Sequence, residues 1–313
     1  MRIFDRPNVN FLKWRWHALF LSVAVIGSGL YTIVQRGGLP LGVDFSGGTV
    51  MVLKFKQPIS EEPIRRALPA SMGDVVVQTY GPAGDNEILI RLPVMQEAEQ
   101  GQNLGDQARA VEAALDAAKV GDFSIESNDE VGPVMGKDLR NKGFWATVAS
   151  LGGILVYIWF RFRLTFAVGA IVATLHDVLV TVVFLTWFHY DISLNVVAAL
   201  LTITGYSVND TIVIFDRVRE NQRTARREPL FDVVNRSVNQ TLSRTIITAG
   251  TTFFAVLSLF VFGGEVLHGL AFTLMVGVIT GTYSTVFIAS AIAIVLSPKQ
   301  IAEPAGPGKP RRP

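Results

Sequence analysis

The sequence predicts a membrane α-helical bundle of six transmembrane helices with a small α+β domain inserted between the first two. Three observations carry that reading. Half of the 313 residues are hydrophobic and mean hydropathy is +0.38, too apolar for a chain of this length living wholly in water. Six apolar stretches reach membrane length, about 20 residues. The charged residues gather between those stretches instead of spreading evenly.

The stretches are 17–34, 143–160, 165–188, 194–215, 246–262 and 267–296. The second and fifth are near the short limit for crossing a bilayer. Arg2, Arg6, Lys13 and Arg15 precede the first, and Arg161 and Arg163 fill the turn between the second and third. Arg217, Arg219, Arg223, Arg226, Arg227, Arg236 and Arg244 lie between the fourth and fifth, and Lys299, Lys309, Arg311 and Arg312 close the tail. Connections 187–193 and 263–269 hold no Lys or Arg. Because basic residues collect on the inner side, residues 1–16, the 216–245 loop and the 297–313 tail are expected in the cytoplasm. Residues 37–142 are then on the outer side of the membrane. The basic loop reads as an orientation signal and not as a nucleic-acid site. No small-x-small cleavage site follows 17–34, so an uncleaved anchor is expected. Without cysteine there is no disulfide and no thiol chemistry. The tail, rich in Pro, Gly and basic residues, is expected to be disordered.

Within 37–142, residues 49–55 alternate and favour a strand. Ser60-Glu61-Glu62-Pro63 opens a helix to Leu68, with a capping serine and a proline in the first turn. Residues 74–80 and 87–92 are strands around the turn-rich 81–86. Residues 105–119 place Ala108, Val111, Ala114, Leu115 and Ala118 on one helical face. A last strand covers 122–131. The order βαββαβ is the ferredoxin-like pattern. Gly132-Pro133 and a polar stretch to Lys142 lead back to the membrane.

The functional candidates lie in the spans. Asp210 is a carboxylate inside the apolar run 194–215, where an ionisable group is costly and usually serves transport. A carboxyl that alternates between wet and dry, or paired and unpaired, surroundings takes up and releases a proton. Tyr206 and Val213 share its helical face, while Asn209 and Thr211 flank it, as water-holding groups or as links between helices. Arg244, at the inner end of the fifth span, either reaches inward as counter-ion to Asp210 or snorkels to the interface. Asp177 with His176 either extends a proton path or holds the third span against the fourth, and the structural role is favoured. Asp44, with Gly47 and Gly48, is read as setting backbone geometry where the chain leaves the membrane. Gly277 and Gly281 form a small-xxx-small packing face. No phosphate-binding loop and no paired metal-ligand spacing occurs, so neither an enzyme nor a cofactor is expected.

Three stretches together resemble the SecF subunits of SecDF protein-export complexes, half-size relatives of the resistance-nodulation-division transporters. They are Gly42-Val43-Asp44-Phe45-Ser46-Gly47-Gly48-Thr49, then residues 131–139 with Gly132 and Pro133, and then 205–221 around Asn209-Asp210-Thr211, followed by 239–245 ending in Ser243-Arg244-Thr245. The likeness covers all but the terminal tail. It implies a partner, SecD, with six further spans and a larger outer domain. It also implies use of the proton gradient to complete passage of an unfolded polypeptide that the SecYEG translocon and SecA have started, in contact with membrane lipids. In that resemblance Asp210 and Arg244 are the functional pair. Two rivals remain open from the residues alone: half of a small-molecule or lipid exporter of the same superfamily, and a passive scaffold for SecD.

Overall fold

The computed structural model describes residues 8–73, 75–81, 84–93, 105–162, 164–225 and 228–297. The expectations placed on Arg2, Arg6, Asp74, Pro82, Ala83, Arg163, Arg226, Arg227 and the tail beyond Ser297 lie outside them.

Six helical spans are long and apolar enough to cross a membrane. The first contains α1 (Arg15–Gln35), preceded by a 3-10 turn at Phe11–Trp14. The others are α5 (Pro133–Arg161), α6 (Leu164–Trp187), α7 (Leu194–Thr224), α8 (Leu230–Phe262) and a composite sixth. That sixth is α9 (Glu265–Ser284), a π-helical turn at Thr285–Ala289 and α10 (Ser290–Val295).

Three helices outrun their apolar stretches, α7 by running on to Thr224. α5 starts at Pro133, so the polar residues before Gly143 are helical, and α8 starts at Leu230, well before Ile246. Most of the 216–245 loop is therefore two helical extensions meeting at a short turn, and Arg244 lies mid-helix. The reason is amphipathicity: a helix needs only an apolar stripe to be held. Leu230, Val233, Val234 and Val238 supply one, buried in one cluster with Ile214, Phe215 and Val218 of α7.

The inserted domain follows α1 and a short helix, α2 (Val43–Ser46). Its elements run β1 (Gly48–Phe55), α3 (Glu61–Ala67), β2 (Val76–Tyr80), β3 (Glu87–Leu92), α4 (Gly105–Ala117) and β4 (Phe123–Val131). The strands form one sheet in the order β2-β3-β1-β4, with every neighbouring pair antiparallel. Met51, Leu53 and Phe55 of β1 and Ile88, Ile90 and Leu92 of β3 share a face, and pack with Ile64 of α3 and Ala108, Val111 and Leu115 of α4. Two local expectations fail. Ser60 stands at the N-cap of α3 without a side-chain cap bond; Glu61 ties that first turn to β2 by accepting from the Thr79 amide (2.8 Å) and hydroxyl (3.1 Å). Ala118 lies in the turn beyond α4 and is exposed, because the helix stops one residue short of it.

Candidate functional site

α7 begins at a doubly capped end. The Ser193 hydroxyl accepts from the Val196 amide at 3.3 Å, and the Asp44 carboxylate accepts from the Leu194 amide at 2.8 Å. Both satisfy donors that a helix start leaves free, and a carboxylate there also suits the helix dipole. Asp44 can do this because α2 and the following glycines turn it toward α7. Gly47 has φ +75° and Gly48 φ +117°. A side chain on Gly48 would run into the carbonyl of Leu92. Gly132 caps α5 with Pro133 in its first turn, and Gly136, one turn on, lies close to the backbone of Gly47.

Further along α7, Ser207, Asp210 and Thr211 face the bundle interior and Asn209 faces outward. Asp210 is only 4% exposed. Its Oδ2 is buried with no hydrogen-bond partner, and so are the Tyr206 hydroxyl and the Thr245 hydroxyl. Among the described residues no ion pair within 4 Å joins Asp210 to Arg244, which is itself exposed on α8, although Arg244 acts on Asp210 electrostatically. Thr211 meets Thr285, the first residue of the π turn, hydroxyl to hydroxyl at 3.2 Å.

Asp177 on α6 has the opposite environment. It is fully buried, and its Oδ2 accepts from Ser207 of α7 at 2.5 Å and from Ser284 of α9 at 2.8 Å. Its Oδ1 lies 3.2 Å from His176 Nδ1. His176 Nε2 continues to Ser22 of α1 at 2.9 Å, Ser22 to the Tyr283 hydroxyl at 3.2 Å, and Tyr283 donates to the Ala18 carbonyl at 2.7 Å. Counting hydrogens orders this chain. The Tyr283 proton is spent on Ala18, so Ser22 must donate to Tyr283 and His176 Nε2 must donate to Ser22. Four helices are tied by this network. The close helix approach it needs is supplied by glycines: a side chain at Gly277 would overlap Ile203, one at Gly281 would press on Ser207, and one at Gly169 would meet the Ala289 carbonyl.

Ser22, Ser207, Tyr283, Ser284 and Thr285 were not singled out from the sequence. The signal was present: Tyr283-Ser284-Thr285 interrupts an apolar span, and Ser207 precedes Asp210 by three residues, one helical turn.

Residues 110–299 match the family described as "Protein export membrane protein SecD/SecF, C-terminal", and residues 37–59 match the "SecD/SecF GG Motif". The chain is 42% identical to the protein translocase subunit SecF of Calditerrivibrio nitroreducens, over 92% of this chain and 94% of that one. It is 37% identical to the SecF subunit of Escherichia coli O157:H7, over 94% of this chain and 90% of that one. The chain belongs to the SecF family. Among solved structures it is similar to SecDF, a translocon-associated membrane protein from Thermus thermophilus, with a TM-score of 0.83 at 33% identity over 95% of this chain. SecDF in its super-membrane-facing form matches with a TM-score of 0.66 at 34% identity over 96%. The chain spans 40% of the length of each of those SecDF chains. This SecF-family chain, with its six apolar helices, is a multi-pass membrane protein. The matched glycine-rich segment contains Asp44, Gly47 and Gly48, and the larger match contains Asp177, Asp210 and Arg244.

Proposed function

We propose that the chain is the SecF subunit of the protein-export machinery of the bacterial inner membrane. With SecD it uses the proton motive force to drive late-stage translocation, after SecYEG and SecA have begun to move an unfolded polypeptide. Its termini are cytoplasmic, and the four-stranded domain, read as ferredoxin-like from its element and strand order, is periplasmic. One observation carries the proton reading. Asp210 is buried at mid-helix in a membrane span, its Oδ2 without a hydrogen-bond partner among the described residues and with the Arg244 charge acting on it. A carboxyl with no fixed donor is free to exchange a proton, and Arg244 is placed to favour its ionised form when the two approach. Tyr206, Thr211 and Asn209 line or flank the route. Asp177 serves as the fixed anchor against which α7 moves. A proton crossing about 100 mV supplies roughly 2.3 kcal/mol per charge, so nucleotide hydrolysis is not required of this chain.

Two SecDF structures at nearly equal identity and coverage match with TM-scores of 0.83 and 0.66. One of them is described as a super-membrane-facing form, which supports a cycle of conformations.

The test is export into inner-membrane vesicles carrying the full complex. Asp210→Asn is expected to abolish the gradient-dependent part of secretion while complex assembly with SecD is retained. Unchanged late-stage translocation with Asp210→Asn would overturn the reading, and the chain would then be a scaffold.

A further inference from the structure

The route from a protonated helix to the domain that meets a polypeptide has to pass through a physical contact, and one turn of the chain collects several. The turn between α6 and α7 is held from three directions. Arg36, just after α1, donates to the Thr186 carbonyl at 2.6 Å and lies 2.8 Å from His189 Nε2. The segment before α2 pairs with it in parallel: Ile192 donates to Pro40 at 2.7 Å and Gly42 donates to Ile192 at 2.8 Å. Asp44 then caps α7 at Leu194, and Phe45 packs in an apolar cluster with Leu185, Ile192 and Val196.

The third hold comes from the sheet itself. Arg91 on β3 pairs in register with Val50 and Val76 and lies between Ile90 and Leu92 in sequence, whose side chains enter the domain core. Alternation along a strand therefore places Arg91 on the opposite face of the sheet. There its guanidinium makes a two-point ion pair with Asp191, a hundred residues away in sequence. The pair is 25% and 30% exposed, and burial holds Arg91 below the usual guanidinium pKa. A planar guanidinium gripping both oxygens of one carboxylate fixes direction as well as distance. Asp191 stands three residues before α7, and Asp210 is 16 residues along that helix from Leu194, about 24 Å at ~1.5 Å per residue.

We propose that Arg91 and Asp191 are the positioning pair that couples α7 to the four-stranded domain, so that a shift of the Asp210 helix is delivered to the sheet through this contact. The inference rests on the proton-driven reading above. Gly42, Asp44 and Phe45 hold the turn in place, and the ion pair ties it to strand β3.

The test uses the full complex in vesicles. Because the chain has no cysteine, Ser124→Cys on exposed β4 and Phe262→Cys at the exposed end of α8 are labelled and their separation is followed on imposing a proton gradient. Secretion is measured in parallel. Arg91→Asp alone and Asp191→Arg alone are expected to lose the gradient-induced change in separation, and to reduce gradient-dependent secretion to the level of Asp210→Asn. The exchange Arg91→Asp with Asp191→Arg is expected to restore both. A double variant that assembles but restores neither overturns the proposal, and so do single reversals that move as the parent does. If Asp210→Asn itself leaves gradient-dependent secretion intact, the proton reading fails and the coupling falls with it. That pattern is distinct from the one in which only the Arg91 and Asp191 variants are silent.

Discussion

Ser207 donates its hydroxyl to Asp177 across the α6–α7 contact at 2.5 Å. One turn further along α7, the Oδ2 of Asp210 has no hydrogen-bond donor among the described residues. The two intramembrane acids thus divide the work. Asp177 is held by Ser207, Ser284 and His176, which makes it a clamp, while the Oδ2 of Asp210 has no such partner among the described residues.

The clamp is a stability claim. Asp177→Ala strands the Ser207 hydroxyl and the His176 Nδ1 in the bundle interior, while Ser284 keeps its bond to the Gly281 carbonyl at 3.1 Å. Each orphaned buried polar group costs about 1–3 kcal/mol, so a loss on the order of 3 kcal/mol or more is expected. Thermal unfolding followed by tryptophan fluorescence in detergent reads it. Asp177→Asn keeps the shape and one acceptor, and is expected to lose less. Asp177→Ala with an unchanged unfolding midpoint would remove the clamp role.

Gly48 combines φ +117° with a backbone carbonyl where its side chain would be. Gly48→Ala forces a strained backbone, worth roughly 1–3 kcal/mol, and separates β1 from Leu92. The expected outcome is faster proteolysis of the four-stranded domain in intact complexes, with the spans still inserted. Gly47→Ala carries a positive-φ cost of its own, since Gly47 has φ +75°.

Gly277 sets the distance between α9 and α7. Gly277→Ala overlaps Ile203 and should destabilise by about 1–3 kcal/mol, as overpacking does. Adding Ile203→Ala makes room and is expected to recover part of that loss in the same unfolding measurement. No recovery would mean that the two helices do not meet at these residues.

Six spans were legible because about 20 apolar residues in a row have few other uses, and the strand and helix order of the inserted domain was legible from period. Helix ends were not. Residues 133–142 and 230–245 are polar enough to end an apolar run, yet Leu230, Val233 and Val234 keep one buried stripe, so hydropathy alone stopped too early. Ser60 shows the same limit at smaller scale: a residue type suited to a cap does not ensure that its hydroxyl makes the bond.

Asp210 was legible because an acid in hydrocarbon is conspicuous whatever surrounds it. That Asp177 is saturated and Asp210 is not could not be read, since the deciding groups, Ser22, Ser207, Tyr283 and Ser284, are spread over three helices and differ from ordinary helix serines and tyrosines only by what they face. The contact of Arg91 with Asp191 is of the same kind. By itself the sequence determined the spans, the inserted domain's order of elements and the presence of an acid, Asp210, inside a span, because length, period and the cost of charge in lipid are local properties. Which acid is held, which is free, and where the domain grips the bundle were decided by tertiary structure, because hydrogen bonds and ion pairs depend on distance in space and not on separation along the chain.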